Sequence, residues 1–268
     1  MRLYDTHCHF DRADPTEIAA ILSRAKAAGV EKLMAVGGSP KLNESAALAV
    51  QVAEEAYVAP KVCCALGFDR EQAGKLGGSG ERSSDMSQSL CLCAPVLKTI
   101  PTAVGEIGLD YHYSPETREA QMKLFAEQLE EARAKGLPVV IHTREAAEDT
   151  LALLREIPSR GIIHCFTGGP EEAKAYLDLG FYVSMSGIVT FHAANNVRAS
   201  ALVIPDDRIL IETDSPFLAP VPMRGNPNEP AFIRHTCEFL AKLRGTDPEA
   251  FAELTFANAE RALRGLRG

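Results

Sequence analysis

Six residues of metal-binding type stand at the ends of separate apolar runs, and this arrangement limits the fold more tightly than any other feature of the chain. His7 and His9 close LYDTHCHF, Glu106 closes AVGEIG, and His142, His164 and Asp214 close PVVIHT, IIHCF and ILIETD. The runs are spread over most of the chain, so these side chains can meet only in a fold that gathers strand ends. Alternate side chains of a strand share a face, which lets His7 and His9 clasp one ion. Taken singly, each histidine could equally be a buried residue that satisfies backbone groups. As a set, six ligands exceed the need of one tetrahedral ion and point to two divalent ions with a carboxylate between them. Mixed imidazole and carboxylate ligation favours zinc, manganese or a similar ion and leaves magnesium open.

Short β-rich runs near 3–9, 30–37, 62–68, 103–107, 138–143, 161–166, 181–186 and 208–214 alternate with helical stretches. Eight such runs in 268 residues fit a (β/α)8 TIM barrel of the α/β class, expected as a single domain over 1–268. Asp14-Pro15-Thr16-Glu17 predicts a helix start, with an end near Gly29. Ser114-Pro115 opens a helix in which Met122, Phe125, Leu129 and Ala132 share a face, ending at Gly136. Gly169-Pro170 and Asp247-Pro248 start two more. Active sites of these barrels gather at the carboxyl ends of the strands, and strands one, four, five, six and eight would bring the six residues to one mouth. Two positions earlier, Val104, Val140 and Ile162 are suited to filling the barrel, whereas Asp5 and Glu212 are carboxylates. These two either orient the ligands or satisfy barrel backbone or a nearby cation. Residues 71–90, rich in Gly and Ser, read as an irregular loop on the active face, either a lid or a surface insertion.

Charge narrows the choice of partners. A net charge of −8 argues against broad attraction to nucleic acid, so any phosphate substrate must be held locally by metals and a few arginines. Arg144, one residue past a strand end on the His142 face, and Arg224, in the loop after strand eight, are candidate phosphate contacts or surface ion-pair residues. His112 is a candidate substrate contact or leaving-group acid, or a loop histidine without a role; His192 and His235 carry no assignment. Seven scattered cysteines lack the spacing of a disulfide framework or zinc knuckle and read as reduced thiols. Cys8 and Cys165, by alternation, should pack against helices. With no basic segment leading a long apolar run, neither a signal peptide nor a membrane span is expected, and the default location is cytoplasmic, with no obligate protein partner.

HCHF, GEIGLDYHY, IHTRE, HCFTGG, SMSGIVTF and ETDSPFLAPVPMRGNPNEP occur in this order over nearly the whole chain. In these motifs the chain resembles the TatD family of metal-dependent hydrolases and deoxyribonucleases, within the wider amidohydrolase-like barrels. The resemblance implies a TIM barrel with ligands at His7, His9, Glu106, His142, His164 and Asp214, Glu106 being the metal-bridging carboxylate. It also implies phosphodiester hydrolysis of DNA, expected to be exonucleolytic, with Glu106 and Asp214 as catalytic residues and Asp214 accepting a proton from a water acidified toward about pH 7. The same site could instead hydrolyse a small amide, ester or lactone, or bind metal without catalysis. Two departures stand out. Gly67-Phe68-Asp69-Arg70 replaces the family's Gly-hydrophobic-His-Pro-His, and Thr143-Arg144-Glu145 replaces Ser-Arg-Asp.

Overall fold

The computed structural model describes residues 1–11, 14–75 and 100–264. Its strands are β1 (Leu3–Cys8), β2 (Val30–Gly38), β3 (Lys61–Phe68), β4 (Ala103–Asp110), β5 (Val139–Arg144), β6 (Gly161–Ile163), β7 (Tyr182–Met185) and β8 (Ile209–Ile211). All pair in parallel with their sequence neighbours in one eight-stranded sheet. The ring closes just beyond β8, where Asp214 N donates to His7 O at 2.9 Å and His9 N donates to Ser215 O at 2.8 Å. The helices are α1 (Pro15–Ala27), α2 (Pro40–Glu55), α3 (Arg118–Lys135), α4 (Ala147–Glu156), α5 (Pro170–Asp178), α6 (Asn195–Val203), α7 (Ile233–Arg244) and α8 (Pro248–Ala262). This is the expected TIM barrel, and each sequence run overlaps one of its strands. β6 and β8 are shorter than their runs, so His164 and Asp214 lie just past the paired residues.

Capping follows the sequence signals. The Asp14 carboxylate accepts from the backbone N–H groups of Thr16 and Glu17 at 2.8 and 2.9 Å, and Asp247 does the same for Glu249 and Ala250. Ser114-Pro115 begins a single 3-10 turn, Pro115–Thr117, before α3 proper. Gly136 ends α3 at φ 64°, a left-handed conformation that glycine adopts without a Cβ penalty. Phe125, Leu129 and Ala132 are buried, as their spacing predicts, while Met122 is half-buried.

Period-two alternation sorts the strand residues into two layers. Leu33, Ala35, Ile141 and Ile163 pack outward under the helices with residues such as Phe125 and Leu154. Met34, Val36, Ala65, Val140, Ile162 and Leu210 fill the barrel, and Phe256, Ala259 and Leu263, in and just after α8, seal its amino-terminal end. Two of the register shifts displace residues from their expected faces. The β1–β2 register shifts between Asp5 and Cys8, and Thr6 rather than Asp5 faces inward, its Oγ1 3.1 Å from Ser184 Oγ. The β4–β5 register shifts between Val104 and Ile107, which leaves Val104 in the outer layer and not beneath Glu106 as expected.

Of the 71–90 segment, only 71–75 is described; the rest, with Cys91 and Cys93, lies outside the described residues. No disulfide joins the described cysteines, and no described helix is long and apolar enough to cross a membrane.

Candidate metal centre

At the carboxyl rim the six expected residues converge into two donor groups, His7–His9–Asp214 and Glu106–His142–His164, with Glu106 also facing the histidines of the first, while His7 and His164 form a further group with Glu212. In the first, His7 Nε2 and His9 Nε2 are 3.1 Å apart. Glu106 Oε2 lies 3.6 Å from both nitrogens, and Asp214 Oδ1 lies 3.8 and 3.6 Å from them. In the second, His142 Nδ1 and His164 Nε2 are 3.2 Å apart, and Glu106 Oε1 is 3.3 Å from each. Four ligands around a tetrahedral zinc-like ion at about 2.0–2.1 Å would sit roughly 3.3–3.4 Å from one another. The donor pairs named above, at 3.1 to 3.8 Å, are close to that scale.

The hydrogen bonds behind the rings fix their roles. A carbonyl can only accept, so His9 Nδ1 donates to Val36 O at 2.9 Å and leaves Nε2 as a bare lone pair. His164 Nδ1 is directed to Glu212 Oε1 at 3.3 Å, which likewise frees Nε2 for the second cluster. His142 Nε2 meets Asp110 Oδ2 at 3.0 Å, freeing Nδ1. Glu212 therefore orients a ligand ring, one of the two roles its position allowed. Asp5 has the other role: it accepts from Thr213 N at 2.9 Å, Thr213 Oγ1 at 2.6 Å and His7 N at 3.3 Å, tying β1 to the β8 exit.

Electrostatics show a site built for cations. Burial pushes the Glu106 carboxyl up, but the charges and hydrogen bonds of His164, His7 and His142 outweigh it and hold Glu106 well below its ordinary value. Burial likewise opposes ionisation of Asp214, and contacts with His9, His7 and His164 reverse it. Burial lowers His7, which favours its neutral, metal-ligating form. Among the described residues His7 Nδ1 and Glu212 Oε2 are buried without a hydrogen-bond partner. Burial disfavours charge on His164 and His9, but Glu106 and Glu212 raise the first and Asp214 and Glu106 the second, so the carboxylates draw positive charge into the cluster, and a divalent cation is a group whose chemistry fits this donor set.

The surrounding elements hold these donors in place. Asn228, from the RGNPNEP motif, donates to Thr213 O at 2.8 Å and Phe217 O at 2.6 Å, locking the turn on which Asp214 stands at φ 55°. Gln128 of α3 is buried and bonds both backbone groups of Phe68 at 2.8 Å, and Gln121 accepts from Asp110 N at 2.8 Å. Helix amides thus clamp the exits of β3 and β4. Cys8 packs in the outer layer as expected, whereas Cys165, at φ 44°, leaves the strand pattern and places its Sγ 3.2 Å from Ser186 Oγ.

Sequence reasoning passed over two neighbours of the centre. Asp110 ends β4 within hydrogen-bond reach of His142. Arg70 leaves the altered β3 exit and turns back, with Nη1 3.8 Å from Glu106 Oε1 and Nε 3.4 Å from Asp110 Oδ2. Asp110 carried a readable signal, an acidic residue four positions past Glu106 on the same strand; Arg70 carried none. Among the proposed substrate contacts, Arg144 lies over the Tyr113 ring with its guanidinium carbon 4.7 Å from the centroid. His112 Nδ1 meets Glu145 Oε1 at 2.7 Å. Arg224 stacks on Phe191 at 4.0 Å and donates to Ala219 O, bracing the loop after β8.

A closed eight-stranded parallel barrel with imidazole and carboxylate donors at its carboxyl rim defines the class: a TIM barrel with a metal-binding type of centre at its mouth. The sequence signature of the TatD related DNase family matches residues 4–264, and the chain belongs to that family. It is similar to the metal-dependent hydrolase YabD of Bacillus subtilis, 34% identical over 98% of this chain and 99% of the relative. It is 49% identical to the metal-dependent hydrolase YcfH of Escherichia coli K12 over 59% of this chain, a match spanning 61% of that relative's length. The 3'-5' ssDNA/RNA exonuclease TatD of Rahnella is 37% identical over 59% of this chain and 64% of its own. Among solved structures, the TatD homologue YjjV of Escherichia coli K12 superposes with a TM-score of 0.80, at 28% identity and 96% coverage of both chains.

Proposed function

We propose that the protein is a nuclease that hydrolyses phosphodiester bonds from a nucleic-acid end, using two divalent ions held by the clusters around Glu106. The observation that carries the two-ion reading is the position of Glu106: each of its oxygens faces a separate pair of histidines. Similarity to a relative named as a single-strand DNA and RNA exonuclease supports the substrate class. When bound, the ions supply Lewis acidity toward a phosphoryl oxygen and acidify water toward neutrality.

The chain's own residues do the rest. His7, His9 and Asp214 would hold one ion, His142 and His164 the other, and Glu106 would serve both. Asp214, kept ionised by His9 and its neighbours, accepts the proton of the attacking water. Arg144 and His112 contact the substrate at the rim of the centre, and Arg224 contacts it from the loop after β8. The acidic chain, at a net charge of −8, repels polyanions in bulk, so bound ions and the few arginines at this mouth would do the capturing.

The test is turnover by purified, metal-loaded protein of end-labelled single-stranded DNA and RNA beside a panel of carboxylic esters, amides and lactones. Stepwise loss of terminal nucleotides that stops on chelation is the expected result. Turnover of carbonyl substrates with DNA and RNA left intact would replace this reading with a carbonyl-ester or amide hydrolase.

A further inference from the structure

Arg70 is the one arginine paired by salt bridge with the carboxylates of the centre, among the described residues. Its position is built. Gln128 holds Phe68 by both backbone groups, Asp69 N donates to Gly38 O at 2.8 Å, and the Asp69 carboxylate accepts from Glu71 N at 2.8 Å to start the turn Arg70–Gln72. The side chain is 19% exposed and returns to the mouth of the barrel.

There it is held near charge without being used up by it. Asp110 already receives His112 N and Tyr113 N on Oδ1, both at 3.0 Å, and meets His142 Nε2 on Oδ2. Arg70 stands 3.4 Å from the latter oxygen and 3.8 Å from Glu106. Among the described residues its guanidinium donates no aligned hydrogen bond, although the group carries five N–H donors in a planar fork. Its carbon lies 5.9 Å from the centroid of Tyr113, the ring that also carries Arg144 at 4.7 Å. Tyr113 is 63% exposed, so two guanidiniums share one aromatic ring that opens to solvent beside the metal-type donors. A fork of free donors in this position matches the tetrahedral oxygens of a phosphate group far better than a carbonyl substrate, which has a single weakly charged oxygen.

We propose that Arg70 is a substrate-binding residue that grips the non-bridging oxygens of the phosphate at the centre, with Arg144 as a second arm on the same tyrosine. The inference rests on the phosphodiester reading above and adds a phosphate-binding residue to it. Arg70 lies in the segment where the chain departs from the family pattern, at Gly67-Phe68-Asp69-Arg70.

The experiment measures inorganic phosphate binding by titration calorimetry to protein saturated with manganese, for the wild type, Arg70→Met and Arg70→Lys, with the melting temperature of each. Arg70→Met should weaken phosphate at least about tenfold, and Arg70→Lys, which keeps the charge and loses the fork, should fall between. On labelled single-stranded DNA the KM of Arg70→Met should rise in parallel. Phosphate affinity and KM within about twofold of wild type in a folded Arg70→Met protein would overturn the assignment. If Arg70→Met does not fold, unchanged phosphate affinity in Arg70→Lys overturns it instead. A wild type that leaves DNA intact while its phosphate binding depends on Arg70 would sink the nuclease reading and leave this one standing. DNA cleavage with phosphate affinity and KM indifferent to Arg70 would do the reverse.

Discussion

Glu106 turns one oxygen to each of two histidine pairs, whereas His9, His142 and Asp214 each belong to a single donor group, so substitutions at these positions should differ in kind and not only in degree. The six residues were legible because their types are unusual at the ends of apolar runs. Arg70 was not, because a surface loop and a returning side chain look the same in sequence. Asp110 gives a prediction at this scale. Burial pushes its carboxyl up, but the hydrogen bond and charge of His142, the Tyr113 N–H and Arg70 bring it down to about 2. A carboxyl lowered by folding stabilises the fold above its ordinary pKa and loses that contribution as the pH falls through the folded value. In metal-free protein, Asp110→Asn should therefore cost on the order of 2 kcal/mol at pH 6, and the gap to wild type should narrow below about pH 3. Urea melts at the two pH values check this, and a gap independent of pH would count against the assigned charge interactions.

Among the elements, the helices do more than cover the barrel. Gln128 reaches from α3 to satisfy Phe68 N and O, and Asn43 of α2 accepts from Gly38 N and Gly67 N while donating to Gly67 O. Buried amides thus set the strand exits that carry the site. Eight strands were readable from apolar runs and turn residues, and the helix starts from Asp-Pro and Gly-Pro pairs. The register slips in β1 and β4 were not, because period-two counting assumes unbroken pairing. They moved Asp5 and Val104 off their expected faces. Gln128→Leu would strand both Phe68 backbone groups and should lower stability by about 1–3 kcal/mol, read from the urea midpoint. It should also raise the KM for DNA, because Arg70 leaves from this exit; a stability loss with unchanged KM would show that the exit does not position substrate.

Across the whole molecule the two ends of the barrel have separate tasks. The carboxyl end gathers charged donors, while the amino end is sealed by Phe256 against Tyr4, with ring centroids 5.6 Å apart, and by the Arg2 guanidinium 4.0 Å above the Phe256 ring. Phe256→Ala should cost about 3–5 kcal/mol through the cavity it leaves, yet kcat per folded molecule on DNA should stay within about twofold of wild type. A stability scan paired with active-site-normalised kinetics tests this separation, and a large loss of kcat would show that the two ends are coupled. The central claim, a pair of ions bridged by one carboxylate, is tested most directly by elemental analysis of metal bound per chain after gentle purification and reloading. The account predicts about two ions per chain in the wild type, falling to one or fewer in Glu106→Ala, with hydrolysis lost. Well under one ion per chain in the wild type, or an unchanged metal content in Glu106→Ala, would contradict it.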